Sequence, residues 1–313
     1  MAKDSVGDAS PKPILSMREA VQEFTADGDE VLLGGFAYSD PFAFAHELIR
    51  QRRSRLRVIK GSGGVLVDQM IGAGCIDQLL FCHVWNSVGP EPAQCFRRAL
   101  EQERPAHVAI EEMSFGAFTA ALMAGACGFP FMPSTPIAGS GQHAQPGFGF
   151  LPHKFATVDS PFDGRPVTVV APLRPKLGVF HVQLADRLGN GQIFGPVSET
   201  RFAVAACERV LLIAEELVDT EIVRQRPELT AIPSFLVDGI VVEPWAAHPT
   251  DSYGYYWRDL EHHRLYGELS KTEDGFQAYV DQWIIATGDH AGVRRKLGEA
   301  RTRSLMARPE VWW

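Results

Sequence analysis

The chain has 313 residues, 45% of them hydrophobic and 22% charged, with a formal net charge of -8. This composition is typical of a globular protein, and its acidic balance lacks the basic stripe that follows a phosphodiester backbone, so we expect no nucleic-acid partner. No window approaches the roughly 18 uninterrupted apolar residues of a membrane span, and the polar first twelve residues contain no apolar signal core. We therefore expect a cytoplasmic protein that does not contact a membrane.

Short apolar runs bounded by glycine, proline or charge alternate with longer segments of helical period, which predicts an α/β sheet with crossover helices. The predicted strands cover residues 31–33, 57–60, 78–83, 107–111, 167–172, 179–184, 209–215 and 239–243. The predicted helices cover residues 17–25, 41–52, 68–73, 92–102, 115–126, 198–206, 275–286 and 290–303. The long loop at 130–159 is a candidate wall of a site, because long loops in compact domains are usually functional or mobile.

The first predicted strand ends in Gly34-Gly35-Phe36 and leads into an amphipathic segment. Glycine adopts positive φ and leaves its amide unshielded, so such an ending can bring backbone N–H groups close to an anionic or carbonyl oxygen. The alternative is an ordinary turn between a strand and a helix, since an isolated Gly-Gly is a weak motif.

A second strand ends similarly, in Gly63-Gly64. Ligands of open parallel sheets bind beyond the carboxyl ends of the strands, so both glycine pairs are expected to face one crevice. The GxGxxG spacing is absent and no Gly-Lys-Ser/Thr follows, which disfavours a nicotinamide cofactor and excludes a P-loop.

Two adjacent carboxylates, Glu111 and Glu112, follow an apolar run and precede a helix. In a continuing strand they would point to opposite sides, so at most one would face the crevice and serve as a nucleophile or an acid/base. Spacing alone favours a different interpretation, in which both are solvated residues of the first turn of the helix.

His248 lies in a Trp/His/Pro loop after another apolar strand. It is a candidate base, although a lone histidine beside proline is more often structural, and the aromatic residues around it suit either an acyl pocket or an interface.

The cysteines and histidines show no metal-binding pattern. The five cysteines are odd in number and form no CxxC pair, and His262-His263 lies in no HExxH spacing. We predict no metal and no disulfide framework, with the thiols buried: Cys75, Cys82, Cys95, Cys127 and Cys207.

Taken together, these segments resemble the A-type (alpha) subunit of family I CoA-transferases, including that of glutaconate CoA-transferase. The resemblance runs from about Ile14 to Leu297, and an ordered series of motifs carries it. These are Asp27-Gly28 through Phe36, Gly63-Gly64 with Asp68 and Ile71-Gly72-Ala73-Gly74, Pro92 to Ala99, Glu112 to Ala117, Ala124-Gly125-Ala126, Pro130 to Pro133, Ala171 to Pro175, Ala185 to Asn190, Ala214 to Thr220, Ile232 to Asp238 and Ala247-His248-Pro249.

The resemblance implies an α/β fold with an open, mostly parallel sheet flanked by helices, related to sugar-phosphate isomerases. It implies one CoA-transferase domain over 14–313 with a C-terminal helical extension, after a flexible tail at 1–13. It also implies a coenzyme A thioester as substrate, no permanently bound cofactor, and pairing with a homologous B-type subunit. In the transferases the nucleophilic glutamate lies on the B-type chain in a Glu–small–Gly context. Here Glu273-Asp274-Gly275 fits those letters but is predicted to open a helix.

Two departures from the family pattern bear on the substrate. In the family, Gly-Gly-Phe is followed by a further glycine and a proline, whereas this chain has Asp40 and a proline, Pro41, one place early, which changes the oxyanion loop. The segment containing Trp85 and Asn86 is bulkier than the glycine-rich family segment, which indicates a different acyl pocket.

Three functions remain open from the sequence. The first is a transferase subunit in which the amides of Gly34, Gly35, Gly63 and Gly64 hold a thioester oxygen while a partner's glutamate attacks. The second is a CoA-thioester hydrolase or lyase. Steroid-ring-cleaving hydrolases of the superfamily resemble this chain and use a glutamate near the place of Glu112. The third is a non-catalytic scaffold or sensor subunit.

Overall fold

This computed structural model describes residues 10–86, 88, 91–134, 139–144, 149–151 and 153–307. The strands are β1 (Ile14–Leu15), β2 (Glu30–Leu33), β3 (Leu56–Ser62), β4 (Ile76–His83), β5 (Trp85–Asn86), β6 (Glu91–Pro92), β7 (Ala109–Glu112), β8 (Met132–Pro133), β9 (Phe155–Asp159), β10 (Pro166–Val170), β11 (Leu177–Asp186), β12 (Gly191–Gln192), β13 (Arg209–Val218), β14 (Thr230–Ile232) and β15 (Gly239–Val242). The α-helices are α1 (Met17–Phe24), α2 (Phe42–Arg50), α3 (Gly64–Gly72), α4 (Gln94–Gln102), α5 (Phe115–Cys127), α6 (Gly141–Ala144), α7 (Thr200–Ala206), α8 (Thr220–Gln225), α9 (Leu260–Leu269), α10 (Glu273–Tyr279), which continues as a π-helix (Val280–Ile285), and α11 (His290–Leu305).

Within the described part of the chain, the main sheet has ten strands, and eight of them form a continuous path in the order β1-β15-β13-β11-β2-β3-β4-β7. Neighbours along this path pair in parallel, while β12 and β14 extend the sheet from β11 with antiparallel pairing. The prediction of an open, mostly parallel α/β sheet flanked by helices is therefore confirmed.

The core lies on both faces of this sheet, as expected for parallel strands with crossover helices. Val31 and Leu33 of β2 face a core built with α1, α2, α3 and α10, whereas Leu32 between them faces a core built with α5 and α7. The central strand β11 is buried along nearly its whole length. The continuous apolar runs of the sequence arise from this two-sided burial.

Local sequence signals set several helix ends. Ser16 and Glu19 form a capping box at the start of α1, and the Ser114 hydroxyl accepts a hydrogen bond from the Ala117 amide at the start of α5. Helix α5 ends at Gly128, whose φ of 70° suits glycine.

The observed elements correct several predictions. Helix α3 begins at Gly64, four residues before its predicted start at Asp68, and α9 was not predicted. The long loop contains β8 and β9, and part of it lies outside the described residues. The predicted tail at 1–13 lies largely outside them too, but Lys12 donates a backbone hydrogen bond to the Arg187 carbonyl, so ordered contacts begin before its predicted end.

Two further predictions concern the cysteines and the membrane. All five cysteines are free, but only Cys75, Cys95 and Cys207 are buried, while Cys82 is half-buried and Cys127 is exposed. The prediction of five buried thiols is therefore wrong for the last two. Among the described residues, none of the helices is both long and apolar enough to cross a membrane.

Candidate active site

The strands β11, β2, β3, β4 and β7 lie side by side in parallel, so their carboxyl ends meet at one edge of the sheet. Gly34-Gly35 follow β2, Ser62 ends β3, and Gly63-Gly64 follow Ser62. His83 ends β4 and Glu112 ends β7. The structure therefore brings the two glycine pairs onto neighbouring strands at the same edge, as the sequence predicted.

Position 35 requires a glycine. Its φ is 86°, and an added Cβ would lie 2.5 Å from Asp40 Oδ1 and 2.6 Å from the Ser39 carbonyl oxygen. Any side chain at this position would be strained by the backbone and would collide with the loop that follows.

A buried ion pair lies beneath this turn. The Lys60 ammonium, on β3, donates to the carbonyl oxygens of Gly34 and Gly35, both at 2.6 Å, and to Asp40 Oδ1 at 2.7 Å. All three ammonium donors are thereby used. Burial raises the pKa of Asp40 and the charge of Lys60 opposes that shift. Asp40, the departure from the family pattern, is thus the counter-ion of the lysine that supports the glycine turn.

This support also affects the amides. The Gly34 carbonyl shares a peptide unit with the Gly35 amide, so an ammonium bound to the carbonyl polarises that unit and strengthens the amide as a donor. A ligand oxygen would therefore find its best donor at Gly35.

Two of the four predicted glycine amides are engaged within the fold. The Gly34 amide donates to the Val179 carbonyl at 2.8 Å, and the Gly63 amide donates to the His83 carbonyl at 2.9 Å. The prediction that these two amides hold a ligand oxygen is therefore wrong, because they complete the pairing of neighbouring strands. Gly35 and Gly64 remain candidates, and Gly64 has a φ of 53° at the start of α3.

Aromatic side chains line the same edge. The Phe36 ring lies 5.1 Å from the Phe115 ring and 5.9 Å from the His83 ring, and His83 lies 6.2 Å from Trp85, each in an edge-to-face arrangement. Trp85 is 50% exposed, which suits a ligand contact. Asn86 is buried, and its Oδ1 accepts a hydrogen bond from the Val88 amide. Its side chain therefore stabilises the local turn.

Glu111 and Glu112 both belong to β7, since α5 begins only at Phe115. The interpretation favoured from spacing, in which they start the helix, is wrong. Glu111 is buried and Glu112 is exposed at the edge, where its Oε1 accepts a hydrogen bond from Gln142 Nε2 at 3.3 Å. Strand alternation thus leaves Glu112 as the carboxylate that a ligand can reach.

His248 lies inside the protein and is 1% exposed. Its Nε2 lies 3.0 Å from Asp259 Oδ2, and its ring packs 5.0 Å from His262. The prediction of His248 as a base at the crevice is therefore wrong, because His248 is buried and pairs with Asp259, the N-cap residue of α9.

Ligand atoms of His248, Asp259 and His262 lie within 4.8 Å of one another, a spacing that suits a cation. These atoms already form hydrogen bonds. His248 pairs with Asp259, Arg301 donates to Asp259, and the Tyr279 hydroxyl lies 2.9 Å from His262 Nε2. A guanidinium bound to the carboxylate of such a group repels a cation, so these residues fit a hydrogen-bond network better than a metal site.

Sequence reasoning missed three polar residues of the edge: Lys60, Ser62 and His83. Each follows an apolar run at the carboxyl end of a predicted strand, the position where site residues of parallel sheets accumulate. Their position at the strand ends was the sequence signal that could have identified them.

Comparison with known proteins identifies the family of this chain. The sequence model of the coenzyme A transferase family matches residues 14–243, and the chain belongs to that family.

Several relatives are similar over nearly the whole chain. It is 30% identical to the A-type subunit of 3-oxoadipate CoA-transferase from Pseudomonas knackmussii over 289 residues, covering 92% of this chain and 99% of the relative. It is 28% identical to the A-type subunit of glutaconate CoA-transferase from Acidaminococcus fermentans over 307 residues, covering 95% of each. The crystal structure of that glutaconate enzyme superposes with a TM-score of 0.87 and 27% identity, covering 96% of this chain and 97% of the other.

The chain is also similar to a component of a hydrolase. It is 27% identical to the cholesterol ring-cleaving hydrolase IpdA subunit of Rhodococcus jostii over 284 residues, covering 88% of this chain and 93% of the relative. The resemblance to A-type subunits is thus confirmed.

Proposed function

We propose that this protein is the A-type subunit of a heteromeric CoA-transferase, which moves coenzyme A between an acyl-CoA and a carboxylic acid. The observation that carries the proposal is the Gly35 turn, supported by Lys60 and Asp40 at the edge where a second glycine turn and an aromatic wall meet. The full-length similarity to A-type subunits of two CoA-transferases supports it further.

In this proposal the chain supplies donors and a partner supplies the nucleophile. The amides of Gly35 and Gly64 hold the thioester oxygen as negative charge develops on it. A backbone donor aimed at an oxyanion contributes roughly 3–4 kcal/mol to the barrier reduction. The attacking group is a glutamate of the homologous B-type partner, which becomes a glutamyl-CoA thioester during the cycle. Coenzyme A thus enters as part of the substrate, without a permanently bound cofactor.

The Glu–small–Gly letters in this chain do not provide that nucleophile. Glu273 lies at the start of α10, its side chain is 54% exposed and it pairs with Arg104 at 3.2 Å. Glu273 follows helix α9 and does not follow a glycine turn, which supports the proposal that the attacking carboxylate belongs to the partner.

The experiment compares the purified chain, the partner and their complex. We expect acyl transfer only from the complex, and coenzyme A bound covalently to the partner after incubation with acyl-CoA, detected by mass spectrometry and removed by borohydride. Full turnover by this chain alone, or a turning-over complex without a covalent mark, would contradict the proposal.

A second function is favoured by one observation, the exposure of Glu112 at the same edge. In a hydrolase or lyase of the IpdA kind, Glu112 would activate water or remove a proton from the substrate. The two functions differ in whether Glu112 or the partner's glutamate is indispensable.

A further inference from the structure

His83 lies at the sheet edge that carries the candidate site. It ends β4 directly opposite Ser62 of β3, and its Nε2 lies 2.9 Å from the Ser62 hydroxyl. Its ring touches Phe36, the residue after Gly35, while Ser62 lies two positions before Gly64. One side chain therefore stands beside both glycine turns that the proposed function uses.

The two ring nitrogens of His83 have different surroundings. Nε2 is occupied by Ser62, whereas Nδ1 has no hydrogen-bond partner among the residues that the structure describes. When Ser62 donates its hydroxyl proton to Nε2, Nδ1 carries the ring proton and can donate it to a ligand.

The ring is half-buried, and this affects its charge. Burial lowers the pKa of His83, and the positive charge of Lys60 lowers it further, which favours the uncharged imidazole. A neutral ring between Phe36 and Trp85 offers one polar contact within an otherwise apolar wall. Such a wall suits a carbon chain that carries an oxygen.

We propose that His83 is a substrate-contacting residue that donates a hydrogen bond from Nδ1 to an oxygen on the far part of the acyl group. The rings of Phe36, Phe115 and Trp85 contact the carbon chain of that group. This inference rests on the proposed function and adds a substrate class, acyl-CoA thioesters whose acyl chain carries a second oxygen function such as a terminal carboxylate.

The test uses binding, because binding is read independently of turnover. The probes are two unreactive thioethers of coenzyme A with the same five-carbon chain, 4-carboxybutyl-CoA and pentyl-CoA, titrated calorimetrically into the complex with the B-type partner. The variants are His83→Asn, whose amide lies near the place of Nδ1, and His83→Gln, whose amide reaches the place of Nε2 and keeps the Ser62 contact. Thermal melts of both complexes verify the fold.

The wild type should bind the carboxylated probe more tightly. His83→Gln should lower that preference about 10-fold, the size of one hydrogen bond to a charged group, and His83→Asn should lower it much less. Trp85→Ala should weaken both probes by similar factors. A role confined to structure predicts the reverse order of the two His83 variants, since only glutamine retains the Ser62 contact.

The inference is overturned if the wild type shows no preference for the carboxylated probe, binds neither probe, or keeps its preference in His83→Gln. Transfer assays on the same complexes report on the proposed function separately. Active transfer with an unchanged probe preference removes only the role of His83, whereas an intact preference without transfer removes only the proposed function.

Discussion

Lys60 and Asp40 form an ion pair of 2.7 Å that is excluded from solvent, and the same ammonium holds both carbonyls of the Gly34-Gly35 turn. Two charges that lie twenty positions apart in the chain therefore fix the turn that we propose contacts the thioester.

Lys60→Met should destabilise the protein by about 3–5 kcal/mol, because it leaves the Asp40 carboxylate buried without its partner. The double variant Lys60→Met/Asp40→Leu should regain most of that loss, since it removes both charges, but it should remain poor in transfer because the turn is unsupported. Urea unfolding measures the first effect and kcat/KM the second. Wild-type activity in the double variant would show that the ion pair only stabilises the fold.

Gly35→Val should reduce turnover at least about 100-fold, the cost of losing one well-placed oxyanion donor, while the overall fold is retained. Gly28→Val is the matched control. Gly28 also has a positive φ, 87°, but an added Cβ there would meet no atom within 4 Å. Circular dichroism and kcat/KM of both variants separate backbone strain from loss of the site. If Gly35→Val retained the same kcat/KM as Gly28→Val and the wild type, Gly35 would serve only as a turn residue.

Glu112→Gln distinguishes the two enzymatic functions. In a transferase with the nucleophile on the partner, most activity should remain, because the isosteric amide keeps the packing. In a hydrolase that uses Glu112, the rate should fall by roughly 100-fold or more, the scale of general acid–base catalysis. Asp77→Asn, at an exposed position of β4, controls for the loss of one negative charge. A severe loss in Glu112→Gln without a covalent intermediate would replace the transferase proposal with the hydrolase.

The buried histidines predict a loss of stability in mild acid. Burial lowers the pKa of His263 to about 4 and that of His290 to about 3, from the ordinary 6.5. Because these folded-state values lie below the unfolded one, the unfolded chain binds more protons, and stability falls as pH decreases from about 6.5. Each site should cost about 2 kcal/mol at pH 5, measured as the difference in urea unfolding between pH 7 and pH 5. His290→Gln should flatten that dependence, and an unchanged pH slope would argue against a protonation cost at this residue.

The sheet was predictable because its strands are buried on both faces and read as continuous apolar runs. Helix α9 was not, since its buried face is made of His262, His263 and Tyr266, which a pattern search counts as polar or ambiguous. Asp259 is the N-cap residue of the same helix. Its contact with the His248 ring holds that ring inside the protein, apart from the candidate site.

The site was predictable only in part. The glycine turns follow from composition and position along the chain, but the spacing of Glu111 and Glu112 favoured a helix start, and only the structure shows that they lie on β7 with Glu112 exposed. The pairing of Lys60 with Asp40 and of Ser62 with His83 depends on which strands become neighbours. That information lies in the topology, and local spacing does not contain it.

The family match ends at residue 243, yet the residues beyond it hold the helices of the site in place. Tyr266 donates to Asp68 of α3 at 2.6 Å, Tyr279 accepts from Gln69 of the same helix at 3.1 Å, and Arg50 of α2 donates to the Ile284 carbonyl at 2.9 Å. Helices α2 and α3 follow the two glycine turns, so their anchorage to the C-terminal segment determines where those turns can sit. A chain cut after the matched region would keep every residue that the structure places at the candidate site and still lack the outer wall that fixes their spacing.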